Sequence, residues 1–175
     1  MTRALVVVES MFGNTRAVAD AVAEGLSESV PTTVVDVDAA PVLVTADLVV
    51  VGGPTHAFGM SRPRTRSAAV TQGAAGARAG TGIREWTDRL GRRPGRRVAT
   101  FDTRIRKRGV PGSAARSAQH RLRRLGLQPL DVPHSFWVTG TEGPLLDGEL
   151  ERARDWGRRL ADRLDEQVSR PASHP

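Results

Sequence analysis

A polar turn near the start of the chain carries the residues best suited to chemistry. It spans residues 10–15 and lies between an apolar segment and an alanine-rich, helix-like one. Gly13 would let the backbone approach a ligand closely, while Ser10, Asn14 and Thr15 offer polar side chains. The unpaired N–H groups at the start of a helix, with the positive end of its dipole, bind phosphate groups. The turn therefore predicts a site for a phosphate monoester; the alternative is an ordinary strand-to-helix turn capped by Asn14 or Thr15.

The composition of this turn also limits the kind of nucleotide. It contains no lysine, which a nucleoside-triphosphate P-loop requires, and no Gly-x-Gly-x-x-Gly follows the first apolar segment. We therefore expect a mononucleotide rather than ATP or NAD.

A second candidate segment, residues 52–60, follows a later apolar run and begins with a tight Gly-Gly-Pro turn. His56, Phe58 and Met60 are flat or soft side chains at a place where the chain should face solvent. An exposed aromatic residue beside a phosphate turn favours stacking on a planar ring. The alternative is that Phe58 and Met60 pack in the core and His56 is a solvated loop residue.

A third segment, residues 102–109, follows another apolar run and is rich in arginine. Its backbone offers hydrogen bonds to the polar edge of the same ring. The alternative is that this run of charge is only a solvated loop.

Strand-like and helix-like segments alternate along the chain, and they must position these three loops. The strand-like runs are residues 4–8, 33–37, 48–51, 97–101 and 135–139, the last preceded by a short run near 127–130. Their continuous valine and leucine character is typical of a parallel sheet covered on both faces. An open, doubly wound α/β sheet of this kind binds its ligand beyond the C-terminal ends of the strands.

Apolar stripes at helical spacing mark the helices. The stripes are Val18, Val22 and Leu26; Ala114, Ala118, Leu122 and Leu125, with Gly126 as the C-cap; and Leu150, Ala153, Gly157, Leu160, Leu164 and Val168. Residues 83–90 form a further short helix. Residues 39–47 are too few for a full helix, and we predict that residues 64–82 form a long mobile loop.

Length and composition exclude several classes of protein. The 175 residues suit one domain, residues 1–170, followed by a flexible tail at 171–175. The absence of cysteine excludes disulfides, cysteine-bound zinc, iron–sulfur clusters and thiol catalysis. Glu9 interrupts the first apolar run, so we expect neither a signal peptide nor a membrane span, and a cytoplasmic location.

Charge and aromatic content argue against a general nucleic-acid role. The formal net charge is +7, and 25 of the 26 basic residues are arginine. Aromatic residues are only 4% and tyrosine is absent, whereas single-strand binding needs aromatic platforms. The histidines have no metal-ligand spacing and no Ser-His-Asp arrangement can be assigned, so we expect no metal site and assign no catalytic side chain.

Taken together, the three loops resemble those of flavodoxin-like FMN proteins over nearly the whole chain. The turn Ser-Met-Phe-Gly-Asn-Thr is similar to the phosphate loop of that family, and Gly-Pro-Thr-His-Ala-Phe-Gly to its second flavin loop. The resemblance implies FMN as cofactor and a three-layer, five-stranded parallel sheet in the order 2-1-3-4-5. The residues that it implies for the cofactor are Ser10, Met11, Phe12, Gly13, Asn14 and Thr15 at the phosphate, and Pro54, Thr55, His56, Phe58, Gly59, Asp102, Thr103 and Arg104 around the ring.

Two departures from the family pattern bear on affinity. Phe12 stands where the usual phosphate loop has a hydroxyl, and no tyrosine is present to stack in the third loop. The residue that stacks on the flavin ring would then be Phe58, His56 or a residue of a partner subunit. Quinone-reductase members of the family bind flavin between subunits, so the resemblance leaves the oligomeric state open.

The resemblance implies electron transfer, or NAD(P)H-dependent reduction of a quinone-like acceptor. Arginines in the third loop would favour the reduced flavin anion, which indicates a reductase rather than a low-potential carrier. One alternative is a protoporphyrinogen-dehydrogenase-type oxidase that uses residues 64–82 to meet its substrate or a membrane. Another is a flavin-free binding module that acts through the arginines of the helix beginning near residue 114.

Overall fold

The computed structural model describes residues 2–55, 59–73, 81–106 and 112–169. In chain order the elements are β1 (Ala4–Val8), α1 (Asn14–Ser27), β2 (Thr32–Asp36), β3 (Leu48–Pro54), α2 (Pro63–Thr71), α3 (Ile83–Arg89), β4 (Arg97–Ile105), α4 (Ala114–Arg124), β5 (Gln128–Pro129), β6 (His134–Val138) and α5 (Glu149–Ser169).

The strands form one parallel sheet in the predicted order. β1 pairs with both β2 and β3, and β3 pairs with β4. The predicted fifth strand is divided in two, because β5 pairs with the start of β4 and β6 with its end. Pro129 and Pro133, which have no N–H to donate to a strand partner, lie on either side of the break. The order β2-β1-β3-β4-β5 is therefore confirmed, and a sixth strand is added to it.

Helices cover both faces of the sheet, as the continuous apolar strands predict. Successive side chains of a strand point to opposite faces. In β1, Val6 and Val8 pack in the core that includes α1 and α5, whereas Leu5 and Val7 pack in the core that includes α3 and α4. The three-layer arrangement is thus confirmed, and each β1 side chain is buried on one side or the other.

Helices α1 and α5 approach each other at the level of their backbones. A Cβ atom built on Gly25 would lie 2.0 Å from the carbonyl oxygen of Arg154, and one on Gly157 would lie 2.2 Å from that of Val22. Glycine is therefore required at both crossing positions. Ion pairs lie beside the contact between α1 and α5, such as the one between Arg154 and Glu24 at 2.7 Å.

The predicted loop 64–82 is wrong in its first part, where α2 spans Pro63–Thr71. Pro63 suits the first helical position, because its fixed φ matches the helix and its missing N–H would have had no partner there. The Arg62 N–H donates to Thr65 Oγ1 at 2.8 Å, which secures the helix start. Arg66 and Ala69 are buried, and they attach the helix to Glu85 of α3 and to Met11 in the turn after β1. The sequence did not reveal this helix because its buried face is short and forms no apolar stripe. The later part of the predicted loop, residues 74–80, lies outside the described residues.

The other predicted helices are found, with one residue misplaced. Gly126 follows α4 with φ +94°, as expected of a C-cap. Leu150 is 42% exposed, although it was assigned to the apolar stripe of α5. The side chain of Val168 and the tail 171–175 lie outside the described residues.

Candidate functional site

Four loops meet at the C-terminal edge of the sheet and enclose a cavity of about 230 Å³. The parallel register brings them together, since β1, β3, β4 and β6 all end at this edge. The lining residues are Met11, Phe12, Asn14, Thr15, Pro54, Thr55, Thr103, Arg104, Ile105, Val138, Gly140 and Thr141. All three loops singled out in the sequence contribute to it, together with the β6–α5 loop, which was missed.

The turn between β1 and α1 has the geometry of an anion-binding helix start. Gly13 adopts φ +91°, a left-handed conformation that favours glycine, directly before the first helical residue. Ser10 Oγ accepts from the Arg16 N–H at 3.2 Å, so the hydroxyl hydrogen of Ser10 is left to donate elsewhere. The amides of the first helical turn point out of the helix without partners inside it. The turn therefore offers several donors to an anion.

Not all residues of the turn face the same cavity. Asn14 and Thr15 line the cavity of about 230 Å³, whereas Ser10 and Gly13 line a larger one of about 500 Å³ on the other side of the turn. Met11 and Phe12 border both. Phe12 is partly buried against Met11 and Ala69, so the residue that replaces a hydroxyl attaches the turn to α2.

A pair of threonine hydroxyls joins the turn to β4. Thr15 Oγ1 and Thr103 Oγ1 are 2.7 Å apart, and both side chains are buried. Two hydroxyls have two hydrogens, and their mutual hydrogen bond uses only one. The other hydrogen is available to a ligand in the cavity, which both residues line.

Asn14 connects the turn to the loop after β6. Its Nδ2 donates to the carbonyl oxygen of Glu142 at 2.9 Å. A Cβ atom on Gly143, whose φ is +99°, would lie 2.5 Å from Asn14 Oδ1, so the loop can approach only because residue 143 is glycine. One of the donors predicted for phosphate is therefore directed at the protein itself.

The carboxylate of Asp102 is buried under the start of α4. Its Oδ2 accepts from Thr55 Oγ1 at 2.8 Å, from Ser113 Oγ at 2.6 Å and from the Ala115 N–H at 3.1 Å. Thr55 also donates its backbone N–H to the Thr103 carbonyl oxygen at 3.0 Å. Asp102 thus holds together the loops after β3 and β4, and it positions Thr55 at the cavity.

Arg104 brings a cation to the cavity wall. Its Nη1 donates to the Gly112 carbonyl oxygen at 2.6 Å, and its guanidinium lies 5.9 Å from the ring centre of Trp137. These contacts keep the guanidinium oriented beside the cavity that Arg104 lines.

Only part of the second loop predicted from the sequence, residues 52–60, lies within the described residues. Pro54 lines the cavity, while Gly59 lies beside Ser117 of α4. Met60 is buried in the core, as the alternative interpretation held. His56 and Phe58 lie outside the described residues, so their predicted contact with a ring stays a prediction.

Behind the turn lies a buried charged cluster that the sequence analysis missed. The carboxylate of Glu9 accepts from Ser61 Oγ and from the Ile83 N–H, the latter at 2.9 Å. Arg66, only 1% exposed, donates to Ser61 Oγ at 2.8 Å and pairs with Glu85 at 3.1 Å. The signal in the sequence was a carboxylate at the end of an otherwise apolar strand. The cluster ties the residue before Ser10 to both α2 and α3.

Burial removes water from the charged form of this carboxyl and raises the pKa of Glu9 above 4.5, against the opposing effects of Ser61, Ile83 and Arg66. Between 4.5 and the raised value, the folded protein binds more protons than the unfolded chain, so this group lowers stability as pH rises. Glu9→Gln abolishes that titration. We expect the unfolding free energy of the variant, relative to wild type, to increase with pH above 4.5, as measured by urea denaturation.

Glu166→Gln, at an exposed position of α5, is the control for the loss of one carboxylate from the chain. A Glu9→Gln curve that runs parallel to wild type across this pH range would contradict the prediction.

Comparisons with known proteins agree with this architecture. No protein-family model matches the chain, and no curated protein matches it. Among solved structures, a flavodoxin from the domain Archaea is 21% identical with a TM-score of 0.64, over 94% of this chain and 99% of the other. Oxidised Flavodoxin 2 from Bacillus cereus is 16% identical with a TM-score of 0.69, over 93% of this chain and 99% of the other.

A larger protein contains the same fold. Rubredoxin oxygen:oxidoreductase from Desulfovibrio gigas is 15% identical with a TM-score of 0.68, over 97% of this chain but 38% of the other. These similarities show that the chain has the flavodoxin-like fold, which confirms the fold that the resemblance in the sequence implied. In the described part of the chain, no helix combines the length and apolar character that crossing a bilayer demands.

Proposed function

We propose that this protein binds FMN at the C-terminal edge of its sheet and acts as a redox protein. The observation that carries the proposal is the glycine turn at the start of α1, which opens beside a cavity walled by the loops after β3 and β4. The flavodoxin neighbours support the same cofactor.

The residues present fit a phosphate monoester. The Thr15–Thr103 hydroxyl pair and the amides that begin α1 are donors beside the cavity of about 230 Å³, as a phosphate requires, whereas the Ser10 hydroxyl faces the neighbouring cavity. Gly13 leaves the backbone bare, since nothing lies within 4 Å of where its Cβ would be. The hydroxyl pair and the amides would hold the phosphate, and Pro54, Thr55 and Arg104 would flank the rest of the cofactor.

When bound, the ring of FMN would supply reversible electron acceptance, which no side chain of this cysteine-free chain provides. Arg104 beside the cavity would stabilise negative charge on the reduced cofactor and so raise its reduction potential. This favours a reductase that accepts electrons readily, with NAD(P)H as donor and a quinone-like acceptor, over a low-potential carrier. Use of NAD(P)H would fit the cytoplasmic location expected from the sequence.

The test is titration of the purified protein with FMN, following its fluorescence and its absorbance between about 350 and 500 nm. Riboflavin, which lacks the phosphate, is the matched control ligand. We expect FMN to bind at least about tenfold more tightly than riboflavin, because a phosphate makes several charge-assisted hydrogen bonds at this turn. Equal affinities would refute the phosphate site, and no binding of either ligand would favour a flavin-free binding module.

A further inference from the structure

Three loops meet at the N-terminal edge of the sheet, where the strands begin, opposite the cavity. They lead into β3, β4 and β5. The Arg93 N–H donates to the Leu125 carbonyl oxygen at 2.7 Å, which joins the last two loops. Arg93 Nη2 donates to the Val42 carbonyl oxygen at 3.0 Å, which adds the first loop. The three loops therefore form one continuous surface.

This surface carries most of the net positive charge of the chain. We call it the basic edge and define it as residues 41–47, 88–97 and 121–128. It holds eight of the 26 basic residues, all of them arginine, and two of the 19 acidic residues, Asp47 and Asp88. Its formal net charge is therefore +6, against +7 for the whole chain. Charge in the rest of the chain is nearly balanced, so the excess belongs to this edge.

Four arginines of the basic edge are exposed to solvent: Arg89, Arg92, Arg123 and Arg124. Arg89 lies in the last turn of α3, and Arg123 and Arg124 lie in that of α4. Both helices end at this edge, and the negative end of a helix dipole stabilises a nearby cation. A guanidinium presents paired N–H donors that match the oxygens of a phosphate. The basic edge is therefore complementary to a surface made of phosphate groups.

An exposed apolar pair within the basic edge favours lipid over other phosphate-rich partners. Val42 is 43% exposed and Leu43 is 70% exposed, the largest value among the large hydrophobic residues of the described chain. Apolar side chains beside cations bind anionic membranes, because the acyl region receives the apolar groups and the headgroups attract the cations. Single-stranded nucleic acids are bound by stacking on aromatic side chains, whereas the large exposed hydrophobic residues of the described chain are all aliphatic.

We propose that the basic edge docks on the surface of an anionic lipid bilayer. The exposed arginines lie at the headgroup phosphates, and Val42 and Leu43 enter the boundary between headgroups and acyl chains. The cavity lies at the other end of the strands, and β4, with nine residues, spans about 30 Å at about 3.3 Å per residue. The cavity therefore faces water in the docked protein, and the inference does not depend on the proposed FMN function.

The first experiment is co-sedimentation of the purified protein with lipid vesicles. The vesicles contain phosphatidylcholine alone, or phosphatidylcholine mixed with the anionic lipid phosphatidylglycerol. We expect at least about tenfold tighter binding to the anionic vesicles, because each arginine near an anionic surface contributes about fivefold. Raising NaCl from about 50 mM to about 500 mM should remove most of this preference, because salt screens the charges. Equal binding to both kinds of vesicle would overturn the proposal.

Two variants test the two components of the basic edge. R92Q/R123Q/R124Q removes three cations and should weaken binding to anionic vesicles at least about tenfold. V42S/L43S should also weaken it at least about tenfold, because the transfer of the apolar side chains out of water is lost. Unchanged binding in either variant would contradict the docking geometry.

The control R62Q/R64Q/R116Q removes the same charge at exposed arginines near the C-terminal edge. It should keep vesicle binding within about twofold of wild type, because charges beyond a Debye length from the lipid are screened. Equal losses in the two triple variants would overturn the proposal, since net charge and not the basic edge would then control binding.

A fluorescent label reports insertion directly, because the chain has no cysteine and one introduced thiol is unique. Leu43→Cys and Val132→Cys place an environment-sensitive dye at two positions of similar exposure, 70% and 67%. Anionic vesicles should shift the emission of the dye to shorter wavelength at position 43 and leave it unchanged at position 132. No shift at position 43, or equal shifts at both positions, would overturn the proposal.

Two further titrations separate this inference from its alternatives. A short DNA duplex is titrated into the wild-type protein, and binding of the duplex without binding of anionic vesicles would replace the bilayer with a nucleic acid. FMN is titrated into the wild type and the variants of the basic edge, which should all bind it equally, because the cavity lies at the opposite edge. Failure of FMN to bind would refute the proposed function and leave the vesicle result standing.

Discussion

Gly13→Ala is expected to weaken FMN binding about tenfold or more. Gly13 has φ +91°, and the left-handed conformation costs a residue with a Cβ atom roughly 1–2 kcal/mol. The turn can relieve this strain only by rotating the backbone that precedes α1. The amides proposed to face the phosphate would then move, and a loss of about 1.4 kcal/mol is already a tenfold change in affinity. Fluorescence titration with FMN measures the change.

Gly95→Ala is a matched control for this variant. Gly95 has φ +81° and, like Gly13, has no atom within 4 Å of its Cβ position, but it lies before β4, at the opposite edge of the sheet. Both variants should lose a similar free energy of unfolding, while only Gly13→Ala should lose FMN affinity. If the two variants bound FMN equally well, the turn before α1 would not be the phosphate site.

Gly25→Ala is expected to destabilise the protein by about 3 kcal/mol, although alanine is the better helix former. In an exposed helix the same change would stabilise by roughly 1 kcal/mol. Here the new Cβ would lie 2.0 Å from the Arg154 carbonyl oxygen, and this contact is with backbone that no rotamer change can move. Helix α5 must therefore shift away from α1, which disturbs the core around Trp156. Urea denaturation measures the loss.

Two further variants test this explanation. Gly91→Ala, whose Cβ would meet only the end of the Arg93 side chain at 3.4 Å, should change stability by less than about 0.5 kcal/mol. Gly157→Ala should resemble Gly25→Ala, and the double variant should lose less than the sum, because one shift of α5 relieves both contacts. Additive losses would mean that the two glycines act independently.

Most of the sheet could be predicted because strand signals are local. The five apolar runs found in the sequence correspond to β1 to β4 and β6, and the glycine turn before α1 follows directly from its own residues. Helix α2 was missed because its buried face consists of Arg66 and Ala69, which form no apolar stripe. An arginine that is 1% exposed cannot be told from a solvated one by its neighbours in the chain.

The surroundings of the residues that line the cavity could be predicted only in part, for a related reason. Residues 102–104 were expected to face a ring, and Thr103 and Arg104 do line the cavity. The Asp102 carboxylate instead receives hydrogen bonds from Thr55, Ser113 and Ala115. The sequence predicts that Asp102 lies at the end of a strand, but its hydrogen-bond donors belong to other elements of the fold. Which donors reach the carboxylate is decided only when those elements pack together.

The sequence by itself determined the alternation of strands and helices, the polar loops that follow the strands, and the glycine before α1. These depend on periodicity and on backbone conformations that a few adjacent residues control. Only the tertiary structure decided that Thr15 meets Thr103, that Glu9 joins Ser61, and that Gly25 must admit α5. Such contacts join residues between about 50 and 130 positions apart, and packing of the whole sheet and its helices is what brings them within bonding distance.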